Sequence, residues 1–357
     1  STFIIAPSML YTQYADTRVI ERHYGGMKKW IEHMSGYIKN DLIAKDNYGD
    51  WCVPPEEKHL IHSKDPKRKT PGELLASAYF IHDLNLMAGY AEMLGKEPDR
   101  TEFLAQAKRM TEAFNKKFWS SRKGYYGNGS ETSQVLPLFF GIATPEMRKP
   151  AFDYLADKIM NVNNGHLATG LVGAQWLMRT LSDNGRPDIA YTIASRTEYP
   201  SWGYMIEKGA TTVWELWNGD TADPAMNSHN HVMLVGDLII WFHEYLAGIK
   251  SNPAAPGFKH IVMKPHPVGD LSHAAATHHS LYGEIASAWK IDNGGFDWKI
   301  RIPANTTATV HVPVKDNAEV LEGGLPAEQV SGLEFLRRDP GYAVYKAGSG
   351  AYHFQVK

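Results

Sequence analysis

The chain has 357 residues, of which 43% are apolar and 21% are charged, a balance typical of a folded globular protein. Its formal net charge is −2, so composition argues against a nucleic-acid partner or a membrane partner held by basic charge. Cys52 is the only cysteine, which excludes an intrachain disulfide and a thiolate metal cluster. We predict no cofactor and no metal, and the cellular compartment stays open.

Residues 1–249 are predicted to be mainly helical. In the stretch TPGELLASAYFIHDLNLMAGYAEMLG, apolar residues recur every three or four positions. Thr70 is expected to cap this helix, with Glu73 completing a capping box, and Gly95 is expected to end it. A second helix is predicted to start near Pro98. The apolar face of that helix is expected to comprise Phe103, Leu104, Ala107, Met110, Phe114 and Phe118.

Three later segments also have helical patterns. One opens at Thr144, and the others are GHLATGLVGAQWLMRTLSDNG and NSHNHVMLVGDLIIWFHEYLAG. Aromatic loops rich in Gly and Pro separate the helices, at 48–69, 120–131, 197–213 and 216–227. Loops this long usually carry function, so the pattern favours an α/α toroid with its site in the loops. An α-solenoid is the alternative, although no repeat of fixed period is found.

Residues 250–357 are predicted to form an all-β domain. The stretches EIASAWKI, DWKIRIP, TATVHVPV and AYHFQVK alternate in polarity and are separated by turn residues. Trp298, Ile300 and Ile302 are expected to share one buried face. The stretch PAAPG marks the boundary, and the favoured architecture is a β-sandwich.

The stretch GATTVWELWNGD places Glu215 between Trp214 and Trp217. Cleavage of a glycosidic bond needs two carboxyl groups, one to protonate the leaving oxygen and one to activate water or attack carbon. A carboxyl group beside indole rings is partly desolvated, which favours its protonated form. Proton transfer is therefore one interpretation of Glu215, and a structural glutamate at the end of a helix is the other.

Other stretches combine aromatic residues with polar ones. YGDWCVPP contains Asp50 and Trp51, and YPSWGYM contains Trp202 and Tyr204. In a sugar subsite the ring would pack on the pyranose while the carboxylate accepts hydroxyl protons. The same aromatic residues are equally expected in a large core. His231, in SHNH, is interpreted as a ligand for a sugar hydroxyl, with a metal-binding histidine pair and a structural histidine as alternatives.

Seven stretches together resemble bacterial α-L-rhamnosidases of glycoside hydrolase family 78. They are YTQYADTRVIERHYGGMKKWIEHM, YGDWCVPP, TPGELLASAYF, GHLATGLVGAQWLMRTLSDNGRPDIAY, YPSWGYMIEKGATTVWELWNGD, MNSHNHVMLVGDLIIWFHEYLAGI and SLYGEIASAWK. The resemblance implies an (α/α)6 barrel followed by a C-terminal β-sandwich. It also implies an inverting mechanism on a carbohydrate substrate with terminal α-L-rhamnose.

The resemblance implies roles for particular residues. Glu215 matches the general base of the family, His231 matches a residue that contacts the sugar, and Trp51 matches a subsite tryptophan. Trp202 lies in a motif on the rim, and Trp214 and Trp217 are expected to wall in the attacking water. The substrate-binding residues expected from sequence are Asp50, Trp51, Trp202, Tyr204, Trp214, Trp217 and His231.

The sequence departs from the family in one respect. The general acid of the family lies in an Asp-rich segment upstream of Ser1, and no stretch of this chain matches that segment. We therefore expect the barrel to lack its first helices and the acid to lie in an N-terminal part of the same enzyme. Two alternatives stay open: another inverting glycosidase on the same barrel, and a sugar-binding homologue that has no catalytic acid.

Overall fold

The computed structural model describes residues 1–46, 48–223, 227–315 and 318–356. The chain divides into two compact units: the first comprises Ser1–Ile5 and Ile20–Leu238, and the second comprises Ala6–Val19 and Ile239–Lys357. The predicted domain boundary after residue 249 stays a prediction. None of the helices in the described ranges has the length and apolar character needed to cross a bilayer.

Helices account for most of the regular structure before residue 247. Short hairpins connect some of them, formed by β1 (Ile38–Lys39) with β2 (Leu42–Ile43) and by β3 (Trp119–Ser120) with β4 (Tyr125–Tyr126). The α-helices in the described ranges are α1 (Thr2–Tyr14), α2 (Arg18–Ser35), α3 (Gly72–Met93), α4 (Glu97–Phe118), α5 (Glu131–Phe139), α6 (Pro145–Asp157), α7 (Leu171–Ala174), α8 (Leu177–Asp183), α9 (Pro187–Ser195), α10 (Trp202–Glu207) and α11 (Leu238–Trp241).

Helix α3 ends as predicted but begins differently. Its last residue is Met93, and Gly95 follows at φ +66°, a left-handed conformation that glycine adopts at low cost. The predicted cap at Thr70 is wrong, because the helix starts at Gly72 and its first turn has no side-chain cap. The Thr70 hydroxyl instead lies 2.9 Å from the hydroxyl of Ser130, so this side chain joins two loops.

The apolar face predicted for α4 is largely confirmed. Phe103, Ala107, Met110 and Phe114 are buried. Leu104 is 41% exposed, so the prediction that it belongs to the buried face is wrong. Adjacent residues lie about 100° apart around a helix, and residue 104 is therefore turned away from the row that contains residue 103.

The last predicted helix of the first part of the chain is broken. A 3₁₀ turn over Val232–Val235 is followed by α11 and then by a π-helical turn over Phe242–Leu246. Gly236 separates the first two at φ +59°, and a Cβ there would lie 2.4 Å from the carbonyl oxygen of Ala174. Only glycine allows this close approach of two backbones, so the chain turns where the periodicity predicted a continuous helix.

The second unit contains two β-sheets, and strands found over all four alternating stretches confirm that prediction. The strands are β5 (Ile249–Ser251), β6 (His260–Met263), β7 (His273–Ser280), β8 (Gly283–Asp292), β9 (Gly295–Ile302), β10 (Thr307–Pro313), β11 (Val320–Glu322), β12 (Leu325–Pro326), β13 (Leu333–Asp339), β14 (Tyr342–Ala347) and β15 (Gly350–Val356). One sheet has five strands in the order β13–β14–β10–β6–β5, and the other has six in the order β12–β11–β15–β9–β8–β7.

Both sheets contribute to a single apolar core, as a sandwich requires. Trp298, Ile300 and Ile302 are buried on one face of β9, as predicted from their alternation. The ring of Tyr345, from the five-stranded sheet, lies 6.2 Å from that of Phe354 in the six-stranded sheet. Burying one large side chain of this kind contributes about 2–3 kcal/mol, so the faces in contact hold the sandwich together.

Candidate active site

Glu215 lies in an irregular loop rather than at the end of a helix. Its backbone N–H donates to the carbonyl oxygen of Ser228 (2.8 Å), and the N–H of Ser228 donates to Oε2 of Glu215 (3.0 Å). A further backbone bond joins the N–H of His231 to the carbonyl oxygen of Val213 (2.7 Å). These bonds draw two parts of the loop together and fix the direction of the Glu215 carboxylate.

The Glu215 carboxylate is shielded but reachable. The side chains of Glu215 and His231 are 16% and 19% exposed, and Nδ1 of His231 lies 3.8 Å from Oε2 of Glu215. No donor among the described residues bonds Oε1. The Nε2 atom of His231 is buried, also without a partner among the described residues. The pair therefore offers one carboxylate oxygen to accept a proton and one ring nitrogen to bind a hydroxyl.

The two tryptophans around Glu215 have different surroundings. Trp214 stacks on His229 with ring centroids 5.3 Å apart, and a Cβ at Gly219 would lie 2.6 Å from the Trp214 ring. Trp217 is fully buried and meets the ring of Trp202 edge-on at 5.5 Å. Trp217 therefore supports the loop from behind, instead of presenting the free face that walling in a water would need.

Trp202 and Tyr204, at the start of α10, are also buried. The hydroxyl of Ser201 accepts from the N–H of Tyr204 and caps this helix. The indole N–H of Trp202 donates to the carbonyl oxygen of Leu234 (3.0 Å), and the Tyr204 hydroxyl donates to Asp220 (2.7 Å). Burial, followed by that hydrogen bond, raises the pKa of Tyr204 to about 12. Both rings form the framework under the loop, and their contact with a sugar stays a prediction.

The carboxylate of Asp50 is used inside the protein. It accepts hydrogen bonds from the N–H groups of Gly170 (2.9 Å), Val172 (2.9 Å) and Gly173 (3.2 Å), and from the Thr132 hydroxyl. Four bonds fill the acceptor positions of a carboxylate. Burial nevertheless raises the pKa of Asp50. The expected role as a hydroxyl acceptor for the sugar does not fit this environment, because Asp50 instead ties its loop to the N-terminus of α7.

Trp51 stands next to a cavity of about 250 Å³. The cavity is lined by residues 48–53, 62–63 and 69–70. The half-buried Trp51 ring meets the rings of His62 and Tyr48 edge-on at 4.8 and 6.3 Å. Its carbonyl oxygen accepts from the N–H of Leu171 (2.7 Å). The backbone of Trp51 is thus fixed while its ring borders open space.

Cys52, which lines this cavity, is subject to the negative charge of Glu215. The pKa of the Cys52 thiol is raised to about 12, first by burial and then by the negative charges of Glu215 and Asp50. The side-chain N–H groups of Asn218 donate to the carbonyl oxygens of Lys58 (2.6 Å) and Leu60 (2.8 Å). The loop that lines the cavity and the loop that carries Glu215 are therefore joined, and together they form the candidate site.

Sequence reasoning missed two buried carboxylates that stabilise the surroundings of the site. Glu131 accepts from Asn163 (2.6 Å) and from the N–H of Ala168 (2.7 Å), and burial raises its pKa to about 7. Asp237 accepts from Arg179, through both the backbone and the guanidinium. Neither acid stands in a recognisable motif. The one available signal in the sequence was the run of four polar residues, 131–134, at the start of α5. A polar run of that length is unusual in a buried helix.

The chain matches two family models. The bacterial alpha-L-rhamnosidase 6 hairpin glycosidase domain matches residues 1–246, and the bacterial alpha-L-rhamnosidase C-terminal domain matches residues 248–324. Alpha-L-rhamnosidases of Streptomyces avermitilis and Formosa agariphila are each 32% identical to it and cover 99% of the chain. The chain covers 32% and 38% of those two proteins, so it spans about a third of their length.

Solved structures agree with the family models. The alpha-L-rhamnosidase from Dictyoglumus thermophilum superposes with a TM-score of 0.89 at 34% identity, covering 99% of this chain and 39% of that one. The Streptomyces avermitilis enzyme complexed with L-rhamnose gives 0.88 at 31% identity, covering 99% and 32%. The predicted fold, a six-hairpin helical domain followed by a β-sandwich, is confirmed.

Proposed function

Because the chain belongs to the bacterial α-L-rhamnosidase family, we propose that it carries the general-base part of an inverting α-L-rhamnosidase site. The substrate is a glycoside or polysaccharide with terminal α-L-rhamnose. The observation that carries this proposal is the environment of Glu215, whose carboxylate is oriented by Ser228 and lies 3.8 Å from His231. The similarity to the Streptomyces avermitilis alpha-L-rhamnosidase, whose structure is complexed with L-rhamnose, supports the choice of sugar.

Glu215 acts as the base. In an inverting enzyme a water sits between the base and the anomeric carbon, so the two carboxyl groups stand about 6.5–9.5 Å apart. Glu215 removes a proton from that water through its free oxygen while the water oxygen bonds to the carbon. The bond to the leaving oxygen breaks on the opposite face, and the general acid protonates that oxygen.

The neighbouring residues bind and orient the sugar. Ser228 donates its backbone N–H to Oε2 of Glu215, which leaves Oε1 for the water. His231 offers its unpartnered Nε2 to a rhamnose hydroxyl. Trp51 offers an aromatic surface to the apolar side of the ring, including its 6-methyl group. Trp202, Tyr204, Trp214 and Trp217 support these residues from beneath.

The general acid comes from a part of the enzyme outside residues 1–357. This proposal rests on the sequence, in which no stretch matches the acid segment of the family. Without an acid the leaving oxygen would depart as an alkoxide, which is a slow step for a sugar leaving group.

A panel of aryl glycosides tests the proposed function. The full-length gene product is expected to release the aryl group from an α-L-rhamnoside. It is expected to act far more slowly on the α-L-fucoside, the α-L-arabinopyranoside and the β-D-glucoside. A stronger preference for any of those three sugars would contradict the assignment of rhamnose.

A further inference from the structure

Two side chains from the loop that carries Glu215 hold a neighbouring segment by its backbone. The carbonyl oxygen of Lys58 accepts from the side-chain amide of Asn218 and from the hydroxyl of Thr221, each at 2.6 Å. The same amide donates to the carbonyl oxygen of Leu60 (2.8 Å). These hydrogen bonds fasten the segment at two backbone positions that lie two residues apart. We call Asn218 and Thr221 together the clamp.

The clamp belongs to a hydrogen-bonded turn that follows the proposed base closely. The carbonyl oxygen of Asn218 accepts from the N–H groups of Thr221 (3.0 Å) and Ala222 (2.9 Å). Asn218 is fully buried, so its side-chain N–H groups would be costly to leave without acceptors. The turn begins within a few residues of Glu215. The loop that orients the base therefore also sets the position of the clamp.

The clamped segment leads directly to the ring of Trp51. His62 follows soon after the clamped carbonyl groups, and its ring meets that of Trp51 edge-on with centroids 4.8 Å apart. Glu56 closes this part of the chain into a compact loop, because its carboxylate accepts from the Ser63 hydroxyl and from the N–H of Lys64 (3.1 Å). A shift at the clamped carbonyl groups would therefore be carried to His62 and from there to the Trp51 ring.

The clamped segment contributes little to the hydrophobic core. Lys58, His59 and His62 are exposed, and Leu60 is half-buried. Thr221 is exposed as well, so loss of its hydroxyl would leave no cavity in the core. We therefore expect the bond from Thr221 to affect where the segment lies much more than it affects the stability of the fold.

We propose that Asn218 and Thr221 are positioning residues, which hold residues 58–62 so that the Trp51 ring stays in place for a sugar whose anomeric carbon faces Glu215. The inference rests on the proposed function, in which Trp51 packs on the rhamnose ring and Glu215 activates the water. It adds two residues that act through Trp51 rather than on the sugar. One loop thereby sets the position of the base and, through the clamp, the position of the sugar.

Thr221→Val is the first test, because valine has nearly the size of threonine but cannot donate to the carbonyl oxygen of Lys58. Steady-state kinetics on an aryl α-L-rhamnoside and calorimetric melts are measured on the full-length gene product. We expect KM to rise about fivefold, as the loss of one hydrogen bond supports. The kcat should stay within about twofold of the parent value, since Glu215 keeps its own bond to Ser228. The melting temperature should hardly change.

Two further variants separate positioning from a general effect of the substitution. Thr221→Ser keeps the hydroxyl and should restore the KM of the parent. Thr192→Val is the matched control, because the Thr192 hydroxyl also donates to a backbone carbonyl oxygen, that of Asp188 on α9 (3.0 Å). This control should leave KM unchanged.

A double-mutant cycle tests whether the clamp acts through Trp51. In a Trp51→Ala background, Thr221→Val should no longer change KM, because the ring that the clamp positions is absent. Two effects that simply multiply would overturn the inference. Asn218→Ala provides a second way to release the segment and should also raise KM. If that buried change prevents folding, the variants at Thr221 still decide the question.

The inference and the proposed function can fail separately. A parent enzyme that hydrolyses the rhamnoside, with a KM that Thr221→Val leaves unchanged, would overturn the inference while the rhamnosidase proposal stands. A raised KM that Thr221→Ser does not restore would also overturn the inference. A parent enzyme that does not hydrolyse the rhamnoside would overturn both.

Discussion

The Nδ1 atom of His231 lies 3.8 Å from Oε2 of Glu215, across a loop closed by the backbone bond between His231 and Val213. The 17 residues between Val213 and His231 include Glu215, the candidate base. They also include Gly219, whose lack of a side chain leaves room for the Trp214 ring. Backbone hydrogen bonds within the loop hold the Glu215 carboxylate in one direction. A carboxylate on a solvent-exposed side chain without such bonds would be free to rotate. The geometry of this pair therefore leads to the first expectation.

Glu215→Gln should lower kcat on an aryl α-L-rhamnoside by about 10²–10⁴-fold, because the amide cannot remove a proton from water. Binding should persist, since Gln keeps the size of the side chain and an oxygen that accepts from Ser228. Steady-state kinetics and rhamnose titration on the full-length gene product measure both quantities. Gln in place of Glu112, an exposed glutamate on α4, is the control and should leave kcat unchanged. A Glu215→Gln enzyme with near-normal kcat would remove Glu215 from the role of base.

Residues 1–357 on their own should hydrolyse a rhamnosyl disaccharide, whose sugar leaving group needs a proton, at least about 10²-fold more slowly than the full-length gene product, because protonation of the leaving group is the step without a candidate residue. Equal molar amounts of the two proteins are assayed side by side. If the short chain reaches the full rate, the acid is among its own residues, and the proposal of an external acid is wrong.

Trp51→Ala should weaken rhamnose binding while leaving the thermal melt cooperative, since the Trp51 ring is half-buried beside open space. Trp217→Ala is the matched contrast. That ring is fully buried against Trp202, and its removal should destabilise the protein by about 3–5 kcal/mol. Calorimetric melts and ligand titration distinguish the two effects. A collapsed melt for Trp51→Ala would make this residue structural instead.

Glu131 should make the stability of the protein fall between pH 4.5 and 7. Burial raises its pKa from the usual 4.5 to about 7, so in this range the folded state holds a proton that the unfolded state has lost. The contribution is complete below pH 4.5 and disappears as pH rises through 7, with a size on the order of 3 kcal/mol. Denaturant unfolding across this range should show a shallower decline for Glu131→Gln than for the parent. Identical pH profiles would contradict it.

Helices and strands with a regular hydrophobic pattern could be predicted from the sequence. Features that depend on contacts between distant parts of the backbone could not. The strands around Trp298 and Phe354 were predicted because an alternating pattern directly reports a half-buried strand. The break at Gly236 could not be predicted, since it depends on the carbonyl oxygen of Ala174, a residue far away in the chain. Thr70 illustrates the same limit, because its hydroxyl bonds Ser130 from another loop instead of capping its own helix.

Within the candidate site, chemical type was easier to predict than orientation. A carboxylate among indoles drew attention to Glu215, and the loop between residues 48 and 69 was expected to carry function. Whether a ring faces the cavity or the core is decided by tertiary packing, so Trp51 and Trp217 could not be distinguished by sequence alone. Asp50 was interpreted as a sugar ligand because nothing local reveals that three N–H groups from residues 170–173 converge on it.

The most direct measurement of the central claim is proton NMR of the anomer first released from an aryl α-L-rhamnoside by the full-length gene product. If Glu215 activates a water on the face opposite the leaving group, β-L-rhamnose should appear first and then mutarotate towards equilibrium. Initial release of α-L-rhamnose would mean retention through a covalent intermediate, and would contradict the role of Glu215 as the general base of an inverting enzyme.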